Sequence, residues 1–256
     1  MRNLYHFILT RVPRPILIRL SYLFNKIAPL IYAGNRFEDP IDGRKYRKLL
    51  PYGALVMREN VLAPGSLSLE RHRLLWLYLQ KKTNFFTAPK LKVLHIAPEQ
   101  CFYKRFRNQS NLEYLTGDIE SPLADVKFDL HQAPFEDNSF DVIFCNHVLE
   151  HVDDYMQCMR ELKRIMKPGG WGIFQVPIDY QRSTTYEDKS ITSEEDRLIH
   201  YWQKDHVRLF GNDYPQHLRN AGFEVVEEHL QKEIGQLLSN RYRLPDYEPI
   251  YLCKKS

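Results

Sequence analysis

A chain of 256 residues, 43% hydrophobic and 27% charged, has the composition of an ordinary globular protein, with length for one large α/β domain plus an appended segment. No run of about 18 uncharged apolar residues occurs, which excludes a transmembrane helix. The net charge of +4 is too small to speak for or against nucleic acid. Cys101, Cys145, Cys158 and Cys253 form no CxxC and read as reduced, cytoplasmic thiols.

Residues 1–33 carry Arg2, Arg11, Arg14, Arg19 and Lys26 among many apolar residues, with no acid. Pro13, Pro15 and Pro29 predict a stretch broken into short pieces. The arginines interrupt any signal-peptide core. Two readings of this arm stand: a helical extension packed on the domain that follows, or a basic amphipathic segment on the anionic inner face of a membrane. Residues 34–65, rich in Gly, Pro and Asp, read as turns and short strands. From Ser68, a plausible N-cap, Leu69, His72, Leu75, Trp76 and Leu79 recur at helical spacing.

Beyond that helix, strands alternate with helices, the pattern of a parallel sheet covered on both faces. The expected strands are Lys92–Ala97, Leu112–Asp118, Val126–Leu130, Phe140–Cys145, Trp171–Pro177, Phe223–His229 and Ile250–Cys253. A helix over Val152–Met166 should stop at Lys167-Pro168-Gly169-Gly170, and another over Asp213–Ala221 at Gly222. The polar stretch Asp179–Gly211 reads as a long loop, of the kind that often serves as a lid.

The run FDVIFCNHVLEHVDDYMQCMRELKRIMKPGGWGIFQVP, residues 140–177, resembles the fourth strand, following helix and fifth strand of class I S-adenosylmethionine-dependent methyltransferases. Asp129 to Asp141 resembles the acid, the proline-phenylalanine loop and the strand start of the same family. The resemblance implies a Rossmann-like α/β fold with seven mostly parallel strands, helices on both faces, and a small N-terminal extension. It divides the chain into an arm (1–33), a ribbon-like segment (34–68) and a methyltransferase domain (69–256). In such sheets the ligand sits beyond the carboxyl ends of the strands, where strand order reverses.

The resemblance also implies site residues. Asp118 would accept hydrogen bonds from the ribose hydroxyls of S-adenosylmethionine, with Ile119 beside it, and a carboxylate suits that task by offering only acceptors. Asp129 would receive the adenine amino group and Leu130 the ring edge through its amide. The bland alternative for both aspartates is a turn or cap. The first motif departs from the family: His95 replaces an acid, and Ala97 and Glu99, around Pro98, stand where glycines are usual. This Leu-His-Ile-Ala-Pro-Glu run resembles the variant motif of a methyltransferase subgroup, with Glu99 able to accept from the methionine ammonium.

Around Phe37–Gly43 and Leu62–Arg73 the chain is similar to a small zinc ribbon of relatives. The four ligand positions there would be Asp39, Asp42, Ala63 and Ser66. Alanine cannot bind zinc, so no metal centre is expected.

Methyl transfer needs alignment and exclusion of water, and a base only where the acceptor loses a proton. Asn146 and His147 follow the fourth strand, at the lip where the methyl group should lie, and His206 follows Asp205; His147 and His206 are the catalytic candidates. His151 reads as packing and capping. The implied function is methylation of a small-molecule, glycan-, lipid- or natural-product-like acceptor, yielding S-adenosylhomocysteine. The catalytic segment has no basic stripe for nucleic acid. The alternatives are a non-catalytic binding module with a decayed cofactor loop, and a membrane-associated scaffold acting through the arm.

Overall fold

The computed structural model describes residues 14–53 and 56–256, so Arg2, Arg11 and Pro13 lie outside the described residues. The chain divides into two compact units, Met1–Tyr78 with Gln231–Asp246, and Leu79–Leu230 with Tyr247–Ser256.

In the first unit the described part of the arm is one continuous 18-residue helix, α1 (Arg14–Ile31), which the expected breaks at Pro15 and Pro29 do not divide. Pro15 falls in the first turn, where a missing N–H has no intrahelical acceptor to lose, and Pro29 falls in the last. Ile16, Leu20, Leu23, Phe24, Ile27, Leu30 and Ile31 recur at spacings of mostly three and four, and all are exposed. Two antiparallel hairpins follow: β1 (Ala33–Asp39) with β2 (Arg44–Tyr46), and β3 (Leu50–Tyr52) with β4 (Arg58–Leu62). Helix α2 (Glu70–Lys82) carries the chain into the second unit. Its start is not capped by Ser68; the Leu69 N–H donates to His72 Nδ1 at 3.0 Å. Ser68 instead turns its hydroxyl to Asp39.

The centre of this unit is polar. Asp39 is fully buried and accepts hydrogen bonds from the Ser66 and Ser68 hydroxyls and the Ile41 amide. Burial and the charge of Asp42 push its carboxyl up, while Arg73 works against them. Arg73, also fully buried, donates to the carbonyls of Ser68 at 2.7 Å, Val61 at 3.0 Å, Tyr242 at 2.6 Å and Arg243 at 2.9 Å. Phe37, Tyr46, Leu49 and Ala63 close around this network. Of the four ribbon positions, Asp39 and Ser66 are thus hydrogen-bonded to each other, Asp42 accepts from Tyr46 Oη at 2.7 Å, and Ala63 is core. Replacing Arg73 by Met should cost about 3–5 kcal/mol, because it strands a buried carboxylate and several carbonyls. Urea unfolding measures this, and Asp39→Asn in the same chain should restore part of the loss.

The second unit holds a seven-stranded sheet. In chain order its elements are β5 (Leu91–Ile96), α3 (Gln100–Arg107), β6 (Leu112–Asp118), β7 (Val126–Lys127), β8 (Phe140–Cys145), α4 (Tyr155–Ile165) and β9 (Met166–Ile173). Then come α5 (Glu194–Tyr201), α6 (Tyr214–Asn220), β10 (Glu224–Glu228), α7 (Leu230–Ile234, in the first unit from Gln231), α8 (Gln236–Tyr242, in the first unit) and β11 (Ile250–Lys254). The strand order is β7-β6-β5-β8-β9-β11-β10, with β11 antiparallel to both neighbours and the other pairs parallel. Successive strands run outward from β5 in one direction, then restart at β8 on its other side, which makes the β5/β8 boundary the switch point.

Three expectations are corrected. The third strand is two residues long, and a 3₁₀ turn, Leu130–Gln132, takes up the rest because Asp129 caps it through the His131 amide. The fifth strand starts at Met166, directly after α4. The helix does end at Ile165, just before the Lys-Pro-Gly-Gly run, and that run interrupts the strand pairing, which jumps from Phe140↔Met166 to Val142↔Trp171. The stretch 179–211 is not structureless but contains α5, capped by the Ser193 hydroxyl on the Asp196 amide.

Candidate active site at the carboxyl end of the sheet

The chain leaves β5 through Ala97, whose φ of +49° lies in the left-handed region that glycine adopts freely. Its amide donates to the Gly117 carbonyl at 2.8 Å, so the turn is anchored to the end of β6. Gly117 itself leaves room for Phe128, since a Cβ there would stand 2.4 Å from the ring. The residues of the variant motif hold one another. His95 is 1% exposed and hydrogen-bonds Tyr114 Oη at 2.8 Å through Nδ1 and the Glu99 carboxylate through Nε2. The other Glu99 oxygen accepts from Asn146 Nδ2 at 3.3 Å, across the switch point. Pro98 is buried behind them.

Asp118 ends β6, and its Oδ1 accepts the amides of Glu120 at 2.8 Å and Ser121 at 2.7 Å; Ile119 between them is 65% exposed. Asp129 accepts the His131 amide at 2.9 Å and its ring Nδ1 at 2.6 Å, and these bonds hold its carboxyl below the ordinary value. Leu130 is buried in the core. The two aspartates therefore sit at the ends of adjacent strands, each fixed by a turn of its own.

The loop after β8 gathers a second group. Asn146 is buried, and its Oδ1 accepts the Gln175 amide at 3.3 Å. His147 has a φ of +56°, and its amide donates to the Gln175 carbonyl at 2.7 Å. Glu150 is 1% exposed, with His147 Nδ1 at 3.2 Å and His206 Nε2 at 4.0 Å from Oε1. Burial works to raise the Glu150 carboxyl, but His147 and His151 hold it below the ordinary carboxylate value. His206 is as buried as Glu150, and that burial lowers its pKa against the pull of Glu150. The rings of His206 and His151 meet edge to face at 4.7 Å, and the Asp205 carboxylate lies beside His151, 3.3 Å from Nδ1. The sequence reading picked out His147 and His206 but missed Glu150. His151, expected to pack and cap, lies beside them in the spacing His147-x-x-Glu150-His151.

An ion pair ties α3 to the segment between β6 and β7. Asp125 accepts the Thr116 amide at 3.0 Å and hydroxyl at 2.8 Å, and both its oxygens take bonds from Arg107. Burial would raise the Asp125 carboxyl, yet these bonds bring it below the ordinary 3.8. A depressed carboxylate stabilises the fold above the unfolded value and loses that contribution as pH falls through the folded one. Asp125→Asn should therefore flatten the acid limb of stability below about pH 4, read as the urea midpoint against pH.

Residues 86–174 match the family model described as "Methyltransferase domain". The demethylmenaquinone methyltransferase of Listeria welshimeri is 51% identical over 39 residues, 15% of this chain and 16% of that protein. That of Staphylococcus aureus is 45% identical over 45 residues, 18% of this chain and 19% of that protein. The chain thus matches less than a fifth of the length of either relative. The crystal structure of the [4+2]-cyclase SpnF has a TM-score of 0.53 at 13% identity, covering 93% of this chain and 96% of that one, which shows a common fold. Residues 86–174 thus resemble a methyltransferase domain, set in a sheet with the strand order given above.

Proposed function

We propose that the chain transfers a methyl group from S-adenosylmethionine to a small-molecule, glycan-, lipid- or natural-product-like acceptor. One observation carries this reading over a decayed cofactor loop. Ala97 keeps the left-handed backbone after β5 without a glycine, at φ +49°. The residues fit the cofactor: Asp118 and Asp129 would hold its ribose and adenine, Leu130 the ring edge, and the Ala97–Glu99 turn its amino-acid end. When bound, S-adenosylmethionine supplies an electrophilic methyl group.

This chain's own residues do the rest. His95 and Asn146 orient the Glu99 carboxylate, which offers negative charge to an ammonium. Half-buried His147 is the candidate base for an acceptor that loses a proton. His206 donates from Nδ1 to the Tyr201 carbonyl and acts through its neighbours, bracing the Glu150 loop. Titration of S-adenosylmethionine and S-adenosylhomocysteine by calorimetry should give micromolar binding. Asp118→Ala should weaken it about tenfold or more, the cost of losing hydrogen bonds to a charged acceptor. A wild-type chain that binds neither ligand would instead support the non-catalytic module.

The arm extends this reading to peripheral contact with an anionic membrane surface. The exposed apolar row of α1 and the acid-free basic composition of residues 1–33 both support it. No helix among the described residues is long and apolar enough to cross a membrane. In co-sedimentation with phosphatidylserine vesicles, a Leu20→Glu, Leu23→Glu, Ile27→Glu variant should stay in the supernatant while the parent pellets. Equal pelleting of the two would refute the contact.

A further inference from the structure

The Glu150 cluster is left with hydrogen-bonding capacity that no protein group takes up. Both carboxylate oxygens of Glu150, Nε2 of His206 and Nε2 of His147 lie buried without a hydrogen-bond partner. The ring orientations make this more than an accident of packing. His206 Nδ1 lies 2.9 Å from the Tyr201 carbonyl, which can only accept, so the proton sits on Nδ1 and Nε2 presents a lone pair. His151 Nδ1 lies 3.2 Å from the Asp205 carbonyl, which frees its Nε2 in the same way. A lone-pair nitrogen 4.0 Å from a buried carboxylate oxygen is repulsive unless a proton or a metal cation lies between them.

We propose that Glu150, His151 and His206 form a binding site for one divalent transition-metal ion, with His147 at its edge. Their ligand atoms lie within 4.8 Å of one another. Two metal–ligand bonds of about 2.1 Å can span about 4.2 Å at most, so modest side-chain closure brings the three donors onto one ion. Two imidazoles and one carboxylate suit Mn²⁺, Fe²⁺, Co²⁺ or Zn²⁺ and leave coordination positions open, whereas Mg²⁺ and Ca²⁺ prefer all-oxygen sites. Carbonyl partners on the outer ring nitrogens are the usual support for histidine ligands.

The scaffold is held for the task. Arg208 is fully buried and donates to the carbonyls of Leu149, Val152 and Asp153, while the Val207 amide donates to the Glu150 carbonyl at 3.0 Å. The loop after β8 and the segment 205–208 are therefore fixed to each other on both sides of the cluster. Resting on the methyl-transfer reading above, an ion here narrows the acceptor to a hydroxyl or phenol. Its oxygen would bind the ion and pass its proton to His147, the O–CH₃ bond would form as the CH₃–S⁺ bond breaks, and sulfur would leave as a neutral thioether.

The test is calorimetric titration of EDTA-stripped full-length protein with MnCl₂ and with ZnCl₂. S-adenosylhomocysteine is titrated separately into the same sample. We expect one ion per chain at micromolar or tighter affinity, weakened about tenfold or more in both Glu150→Gln and His206→Ala. A wild-type chain without saturable one-to-one binding overturns the site whether or not a variant folds. So does affinity unchanged in both variants. Metal binding without S-adenosylhomocysteine binding supports the site and refutes the methyl-transfer reading, and the reverse result refutes the site alone.

Discussion

The carboxyl end of the sheet depends on one line of hydrogen bonds that crosses it. His95 holds Glu99, and Glu99 accepts from Asn146 at 3.3 Å. Asn146 in turn accepts the Gln175 amide at 3.3 Å, and the Gln175 side chain bonds the Pro249 carbonyl and the Tyr251 amide, each at 2.8 Å. The line therefore joins the ends of β5, β8, β9 and β11. Every member is at least largely buried, and a buried polar chain is worth most when each link is satisfied. Two of the three departures from the glycine-rich first motif, His95 and Glu99, are its first two links. The variant loop exchanges glycine's conformational freedom for side-chain bonds that fix one conformation.

How much of this was legible in the sequence follows from how local each cause is. The expected bounds of β5, β6 and β8 match the observed Leu91–Ile96, Leu112–Asp118 and Phe140–Cys145 to within a residue. Where a boundary depended on a partner strand, reading failed. The helix before Lys167–Gly170 ended where expected, but the strand expected from Trp171 starts at Met166, and the amide of Gly169 donates to the carbonyl of Lys255, a residue 86 positions away by number. Helix α5 was hidden for a different reason. Its Ser193-Glu194-Glu195-Asp196 start is a good capping signal, but its surroundings are polar enough to pass for loop.

The site divides along the same line. The turn positions of Asp118, at the end of β6, and Asp129, two residues past β7, were readable because their hydrogen bonds reach only two or three residues along the chain. Glu150 and His151 lie in a local spacing that could have been read, but their meaning comes from His206, more than 50 residues later. Nothing in one dimension brings that residue to them. Arg208 does so in three, by donating to the carbonyls of the loop on the far side.

The carboxyl end thus has two halves with opposite polar balance. In one, His95, Glu99, Asn146 and Gln175 saturate each other. In the other, Glu150 and His206 lie equally deep with lone pairs facing one another. Leaving such a pair without a bridging partner costs a fold kilocalories. They also lie on the loop that leaves β8 at the switch point, with one arginine fixing their carbonyl scaffold and backbone carbonyls fixing their tautomers. The fold itself does not dictate the chemistry, since the structural neighbour over 93% of this chain bears the name of a cyclase. What distinguishes one user of this sheet from another is the loop after β8 and what the following segment brings to it. In this chain that is a carboxylate and imidazoles held with their lone pairs inward.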